Sequence, residues 1–473
     1  MPGTRRLPRS RPETQGVAPS ALLALLDALV EPGELHSLMV VRNGHVVAEG
    51  WAAPYSADRP HLLYSLSKSF TSTAVGFAQA EGLLDVDDLV LDHFADVAPA
   101  DPGPHLRSMR LRHLLTMTTG HHEDTSDATF TSRHWSQTFL GLPVQHEPGT
   151  HFVYNTAATY MLAEAVQRAA GMRVLDYLTP RLLEPLGIEG ATWEQSPDGV
   201  DVGGFGMSVT TEDIAVFGQL YLQDGRWGGV QLLPEGWAAE ATRRQVPNGD
   251  DPDGDWAQGY GYQFWRGRHD SYRGDGAFGQ YCVVLPALDV VVAITSASAE
   301  MHVELARVWE HLLPGVADGA LEEDDASLRA LTERLAALRL PVPVGAERGA
   351  PILGRQLVFE PNDLGIRTAT LDGGADGDEL VVEHERGRWR IAVGHGDLRS
   401  SWVQLGKHVD EEVLAAGAWV SPSVYELTAR LIGGPHAVTL RAEVDGASVT
   451  VTGEVNVRFG DTAVGPLVAS VTA

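Results

Sequence analysis

Tyr64-Ser65-Leu66-Ser67-Lys68-Ser69-Phe70-Thr71-Ser72 opens a run in which Leu66, Phe70, Ala74, Phe77 and Ala78 recur with helical period until Gly82 stops it. The spacing predicts a largely buried, central helix over 65–80 with Ser65 and Lys68 in its first turn. Residues three apart share a helix face, so the Ser65 hydroxyl and the Lys68 amine can meet. The helix N-terminus adds unpaired N–H groups and partial positive charge. With burial, that setting lowers a lysine pKa and yields a neutral amine able to take a serine proton. A four-residue pattern with two fixed letters is weak alone. Its weight comes from scarcity: of 35 basic residues only Lys68 and Lys407 are lysine. A chain that otherwise uses arginine retains lysine where a proton must be lost, which arginine does not do near neutral pH.

Outward from this helix, 18–29 has helical apolar spacing with Ser20 as candidate cap. Segments 38–42 and 45–49 flank Asn43-Gly44, a hairpin signal. Short helices are expected over 90–94 and 111–117, a longer one over 156–170 closed by Gly171, and another from Thr211 with Glu212 and Asp213 in its first turn. Segments 260–265, 280–285 and 290–296 read as strands, and 300–313 as a helix. Strands from both ends with helices between imply an α+β fold: one antiparallel sheet flanked by helices, with an inserted helical region. A helix over 326–338 and a spacer through Pro351 follow. Short alternating runs at 380–383, 389–393, 401–405, 437–444 and 448–457 then predict an all-β domain. The expected domains are 1–317, a helical linker at 318–350 and a β-rich domain at 351–473.

The 473 residues include 63 acidic ones and carry a formal net charge of -28, which disfavours nucleic acid and anionic membranes as partners. The one cysteine, Cys282, permits neither an intrachain disulfide nor a cysteine-based zinc site, and its apolar neighbours make it a buried strand residue. No apolar run reaches the roughly 18 residues of a membrane span. Pro8, Pro12 and Asp27 interrupt the N-terminal stretch, so no signal peptide is expected and the location expected is cytoplasmic.

Two further segments carry chemistry. Pro148 to Thr156 precedes a helix, and a hydroxyl such as that of Tyr154 can relay a proton to a leaving group if a nearby cation lowers its pKa. Gly274-Asp275-Gly276-Ala277-Phe278-Gly279 formally matches a dinucleotide fingerprint, but a strand follows where that fingerprint needs a helix. Glycines entering an edge strand instead let a substrate approach the backbone, and the N–H groups of Ser65 and Ala277 can form an oxyanion hole. His121-His122-Glu123-Asp124 places adjacent ligands on one loop, where they rarely converge, and Asp250 to Asp255 lacks the bidentate glutamate of a calcium loop. No metal and no cofactor are therefore expected. No G-x-S-x-G elbow occurs.

Taken in order, the Ser65–Lys68 tetrad, Leu111 to Gly120, Pro148 to Tyr154, Gly203-Gly204-Phe205-Gly206-Met207 and Gly276 to Gln280 resemble the serine β-lactamase-related family over roughly residues 15–315. That family includes class C β-lactamases, D-alanyl-D-alanine peptidases, esterases and amidases that cleave nylon oligomers. The resemblance implies Ser65 as nucleophile, Lys68 as base, Tyr154 as shared acid and base, and Ala277 as the strand's oxyanion donor. Two departures stand out. The family's Tyr-x-Asn is Tyr154-Asn155-Thr156 here, leaving either Asn155 or Thr156 to orient Lys68 and the substrate. The usual Lys-Thr-Gly or His-x-Gly is Gly274-Asp275-Gly276, without the cation that meets a substrate carboxylate, although Arg273 lies beside it. The expectation is an esterase or amidase acting on a small-molecule substrate through a Ser65 acyl-enzyme. A β-lactamase or D-alanyl-D-alanine peptidase is the alternative within the family, and a non-catalytic binder or sensor the alternative outside enzymes.

Overall fold

A computed structural model describes residues 7–30, 34–345, 352–374, 377–404 and 410–472. Lys407, Leu405 and the spacer at 346–351 lie outside the described residues. The chain forms two compact units: Met1–Trp51 with Ala57–Ser296 and Glu300–Ala337, and Ala52–Ser56 with Ala297–Ala299 and Leu338–Ala473.

The first unit is built on a six-stranded antiparallel sheet of β1 (Glu34–Arg42), β2 (His45–Trp51), β3 (Trp265–Arg266), β4 (Tyr272–Gly276), β5 (Gln280–Leu285) and β6 (Val290–Ala297), in the order β2-β1-β6-β5-β4-β3. Strands from both ends of the unit thus share one sheet. Asn43 and Gly44 take positive φ at the turn that pairs Arg42 with His45, as a two-residue hairpin demands. Helices α1 (Pro19–Val30), α2 (Ser67–Ala80), α3 (Thr156–Ala170), α4 (Thr211–Leu222) and α5 (Asp325–Ala336) belong to the same unit.

Helix α2 is buried from Ser67 through Ala78 and forms the centre of the core. Phe70 stacks on Phe217 of α4 with ring centroids 4.0 Å apart. Gly218 lets α4 lie directly on the sheet, because a Cβ there would sit 2.6 Å from Val291 and 2.7 Å from the Cys282 sulfur. Cys282 is buried in β5.

Several boundaries differ from the sequence expectation. Ser20 lies inside α1, which begins at Pro19; proline suits a first helical position because its missing N–H has no intrahelical partner there. Segment 260–265 is mostly irregular, with isolated bridges at Tyr260, and only Trp265 enters a strand. Gly274-Asp275-Gly276 lies within β4 rather than before a strand. Segment 301–312 is an α-helix to Arg307 that widens into a π-turn. Helix α5, placed by sequence in a linker, belongs to the first unit: Leu331 is buried and Arg334 bonds Asp27 of α1 at 2.7 Å.

The second unit is all-β. Its strands are β7 (Gln356–Phe359), β8 (Ile366–Gly373), β9 (Asp378–His384), β10 (Gly387–Gly394), β11 (Arg399–Val403), β12 (Glu411–Ser421), β13 (Val424–Leu431), β14 (Ala437–Asp445), β15 (Ser448–Val455) and β16 (Ala463–Val471). They form one ten-stranded sheet, and a parallel pairing of Val393 and Gly394 with Ala415 and Ala416 closes it into a barrel. Its core holds Val393, Val413, Trp419, Tyr425, Val449 and Ala469. Among the described residues, no helix is long and apolar enough to cross a membrane.

Candidate active site

The chain enters α2 through a single 3-10 turn, Tyr64–Leu66, so Ser65 sits just ahead of the α-helix rather than inside it. Tyr64 has φ of 49°, a left-handed conformation that costs a non-glycine residue energy. This turn leaves Ser65 half-buried while Lys68 is 1% exposed. The Lys68 amine donates to Ser65 Oγ at 2.9 Å, to Thr156 Oγ1 at 3.1 Å and to the Gly204 carbonyl at 2.7 Å. Three oxygens therefore fix the nitrogen, and one belongs to the candidate nucleophile. Burial brings the Lys68 pKa down to about 7; the charges of Asp124 and Asp275 oppose this shift without cancelling it.

The loop carrying Gly204 is held by α2 itself. Ser67 Oγ accepts from the Met207 N–H at 3.1 Å, and Thr71 Oγ1 donates to the Gly203 carbonyl at 2.9 Å. Upstream, buried Asp201 pairs with Arg173 at 2.7 Å and accepts from the Leu175 N–H. Gly204 lacks room for a side chain, since a Cβ would lie 2.6 Å from the Thr156 methyl and 2.9 Å from the Thr156 carbonyl. The glycine thus admits its own carbonyl to the amine.

Asn155 and Thr156 have separate partners. Asn155 is the N-cap of α3: its Oδ1 accepts from the Ala157 and Ala158 N–H groups and from Thr125 Oγ1. Thr156 alone of the two touches Lys68.

Tyr154 is half-buried beside this pair, with Lys68 Nζ 4.9 Å from its ring centroid. Trp265 stacks on it at 5.1 Å, and Tyr260 meets it edge-on at 6.2 Å. Burial holds the phenol well above its ordinary pKa, and a side-chain hydrogen bond with Ser65 partly offsets that. The sequence expectation of a phenol whose pKa a nearby cation lowers is thus reversed by burial: the phenol is neutral at physiological pH and able to donate.

Strand β4 packs against the Ser65 turn. A Cβ on Gly276 would lie 2.0 Å from the Leu63 carbonyl, and one on Gly274 would lie 2.1 Å from Leu66 Cδ1. Their absence brings the β4–β5 turn, which begins at Ala277, alongside residues 63–66. Phe278 in that turn meets Tyr64 edge-on at 5.2 Å. Asp275 is buried, and burial raises its pKa despite a 2.9 Å ion pair with Arg273 Nε. Arg273 is itself fully buried, donates to the Asp255 carbonyl at 3.0 Å and lies over Trp256. Its charge is committed to Asp275 and the protein interior.

Sequence patterns did not single out Gly204, Gln263 or Trp265 as site residues. Gln263, at φ of 64°, accepts from Thr159, donates to the Leu114 and Leu115 carbonyls, and offers its own carbonyl to Ser69. It knits α2, α3 and the 111–117 segment together beneath the site. Two weaker candidates are accounted for. Asp255 is buried against Arg268 and the Trp309 indole, and His121 is buried against Thr119.

This sheet-and-helix unit, with a serine and a lysine joined at the head of its central helix, belongs to the Beta-lactamase family, which matches residues 24–347. Over 305 residues the chain is 25% identical to 6-aminohexanoate-dimer hydrolase of Paenarthrobacter ureafaciens, covering 59% of this chain and 76% of that protein. A solved Bacillus anthracis protein, provisionally assigned as a 6-aminohexanoate-dimer hydrolase, superposes with a TM-score of 0.53 at 21% identity, over 64% of this chain and 86% of its own. EstCE1, a hydrolase with promiscuous acyltransferase activity, superposes at 0.51 and 15% identity, over 62% of this chain and 97% of its own. The fold is shared with hydrolases.

Proposed function

We propose that this chain is a serine hydrolase cleaving an uncharged ester or amide through an acyl-enzyme on Ser65. The observation that carries the reading is the 2.9 Å contact between Ser65 Oγ and a buried Lys68 amine whose pKa lies at about 7. Neutral Lys68 takes the Ser65 proton as Oγ attacks the substrate carbonyl. The oxyanion that forms accepts from the Ser65 and Ala277 N–H groups. Neutral Tyr154 donates its proton to the departing alkoxide or amine and is reprotonated from the Lys68 ammonium. Water then adds to the acyl carbonyl, giving up a proton to the same groups, and Ser65 leaves with its proton restored.

The position that carries a cation elsewhere in the family is a β4 glycine here, followed by Asp275, and Arg273 is held inward by Asp275. A carboxylate-bearing β-lactam or peptide would find no free cation on this strand. Neutral esters and amides meet no such demand, and the 6-aminohexanoate dimer for which the Paenarthrobacter relative is named, which bears a carboxylate, belongs in the assay panel as the charged comparison.

A fluorophosphonate probe tests the chemistry. The wild type should label and Ser65→Ala should not. Absence of label on folded wild-type protein would turn the reading towards a non-catalytic binder. Short-chain p-nitrophenyl esters should turn over at least about tenfold faster than nitrocefin; the reverse order would restore the lactamase alternative.

A further inference from the structure

His122, His146 and His151 come from two loops and converge. One ring nitrogen from each lies within 4.8 Å of those of the other two. His122 Nδ1 and His146 Nε2 are 3.0 Å apart, and His146 and His151 have ring centroids 4.2 Å apart. The sequence expectation considered only the neighbours of His122 within its own loop, and the partners lie 24 and 29 residues further on.

Backbone bonds hold the two loops together independently of the rings. The His146 N–H donates to the Gly120 carbonyl and the Gly149 N–H to the Thr118 carbonyl, both at 2.8 Å. The His122 N–H donates to Gln145 Oε1 at 3.0 Å. Gly120 has φ of 89° and no space for a Cβ, which would sit 2.3 Å from the His146 carbonyl. Three imidazoles are thus gathered where two are half-buried and one is exposed.

We propose that His122, His146 and His151 bind one divalent late-transition ion of the zinc class. Neutral imidazole is the preferred ligand of such ions. Zinc–nitrogen bonds of about 2.0–2.1 Å place tetrahedral ligand nitrogens roughly 3.4 Å apart. The present separations, one of 3.0 Å and all within 4.8 Å, bracket that value. Exposed His122 leaves the fourth position open to water. Sole Cys282 is buried in β5, so no exposed thiolate competes for the ion.

The position gives the ion a structural consequence. His151 precedes Tyr154 by three residues, the Val153 N–H donates to the Met117 carbonyl, and Thr125 donates to Asn155. A cation joining His122 to His146 and His151 would staple the loop that presents Tyr154. It serves as a clamp, and no step of hydrolysis passes through it.

Equilibrium dialysis of untagged, full-length protein against about 10 µM zinc chloride near pH 7.5, read by elemental analysis, should find about one zinc per chain. His122→Ala/His151→Ala should reduce bound zinc by about fivefold or more, and exposed His302→Ala should leave it unchanged. Zinc should raise the melting temperature of the wild type and not that of the double variant. If the double variant does not fold, His151→Asn alone, with the same two readouts, replaces it. Equal zinc in wild type and folded variant, or negligible zinc in the wild type, overturns the proposal. Fluorophosphonate labelling is read separately, so loss of one reading leaves the other standing.

Discussion

In the proposed mechanism, Lys68 sheds its proton before it takes one from Ser65. Its pKa is lowered to about 7, so the amine is protonated below that pH and neutral above it. The expected kcat/KM therefore falls with unit slope as pH drops through about 7, measured with a neutral ester. Lys68→Arg fixes the charge and should reduce kcat/KM by about a thousandfold at any pH up to about 10. Asn155 and Thr156 can be separated in the same assay. Thr156→Val removes an oxygen that stabilises the ammonium, so the acid limb should move to lower pH as kcat falls. Asn155→Ala removes the α3 cap and should cost about 1 kcal/mol of stability while leaving the limb in place. The sequence made Ser65 and Lys68 legible because their spacing is local. It left Asn155 and Thr156 unresolved because the choice depends on which side chain the start of α3 turns towards α2. The Gly204 carbonyl was invisible for a plainer reason: every residue has a carbonyl, and only packing makes this one a partner of the amine.

At the level of elements, β4 shows why pattern reading stops short. Tyr-Arg-Gly-Asp-Gly has no apolar alternation, yet it is a buried strand. Its glycines face backbone and side chains of the Ser65 turn, and its arginine and aspartate neutralise each other, so neither face carries the hydrophobic signature that usually marks a strand. The helix Met301–Arg307 supplies a measurable companion to this turn. Its Glu304 is buried, and a Cβ on Gly279 would lie 2.2 Å from the Glu304 carboxylate. Burial raises the Glu304 pKa to about 8. The folded state then holds a proton that the unfolded chain releases near its ordinary value of 4.5, so stability declines as pH rises between those values. Glu304→Gln keeps the neutral form throughout. Its melting temperature relative to wild type should rise between about pH 5 and pH 9, by differential scanning fluorimetry; a constant difference would mean Glu304 does not titrate in this way.

Across the whole molecule, helix α2, the Asn43-Gly44 hairpin and the shared sheet were readable because period and turn chemistry act over a few residues. The second unit was readable as all-β but not strand by strand. Glu411–Ser421 is buried continuously from Val413 to Gly417, without the alternation that exposes a strand in sequence. The formal charge of -28 also acts at this scale. A monoanionic ester should gain kcat/KM as salt rises from about 20 to 300 mM, because screening weakens repulsion, while a neutral ester changes little. Scarcity of primary amines has a practical side. With only two lysine side chains in 473 residues, incorporation of carbon-13-labelled lysine during expression yields a spectrum with two side-chain Cε signals and leaves the amines chemically unaltered. The resonance that vanishes in Lys68→Arg can then be followed through its own titration, giving a spectroscopic reading of the Lys68 amine without substrate or turnover.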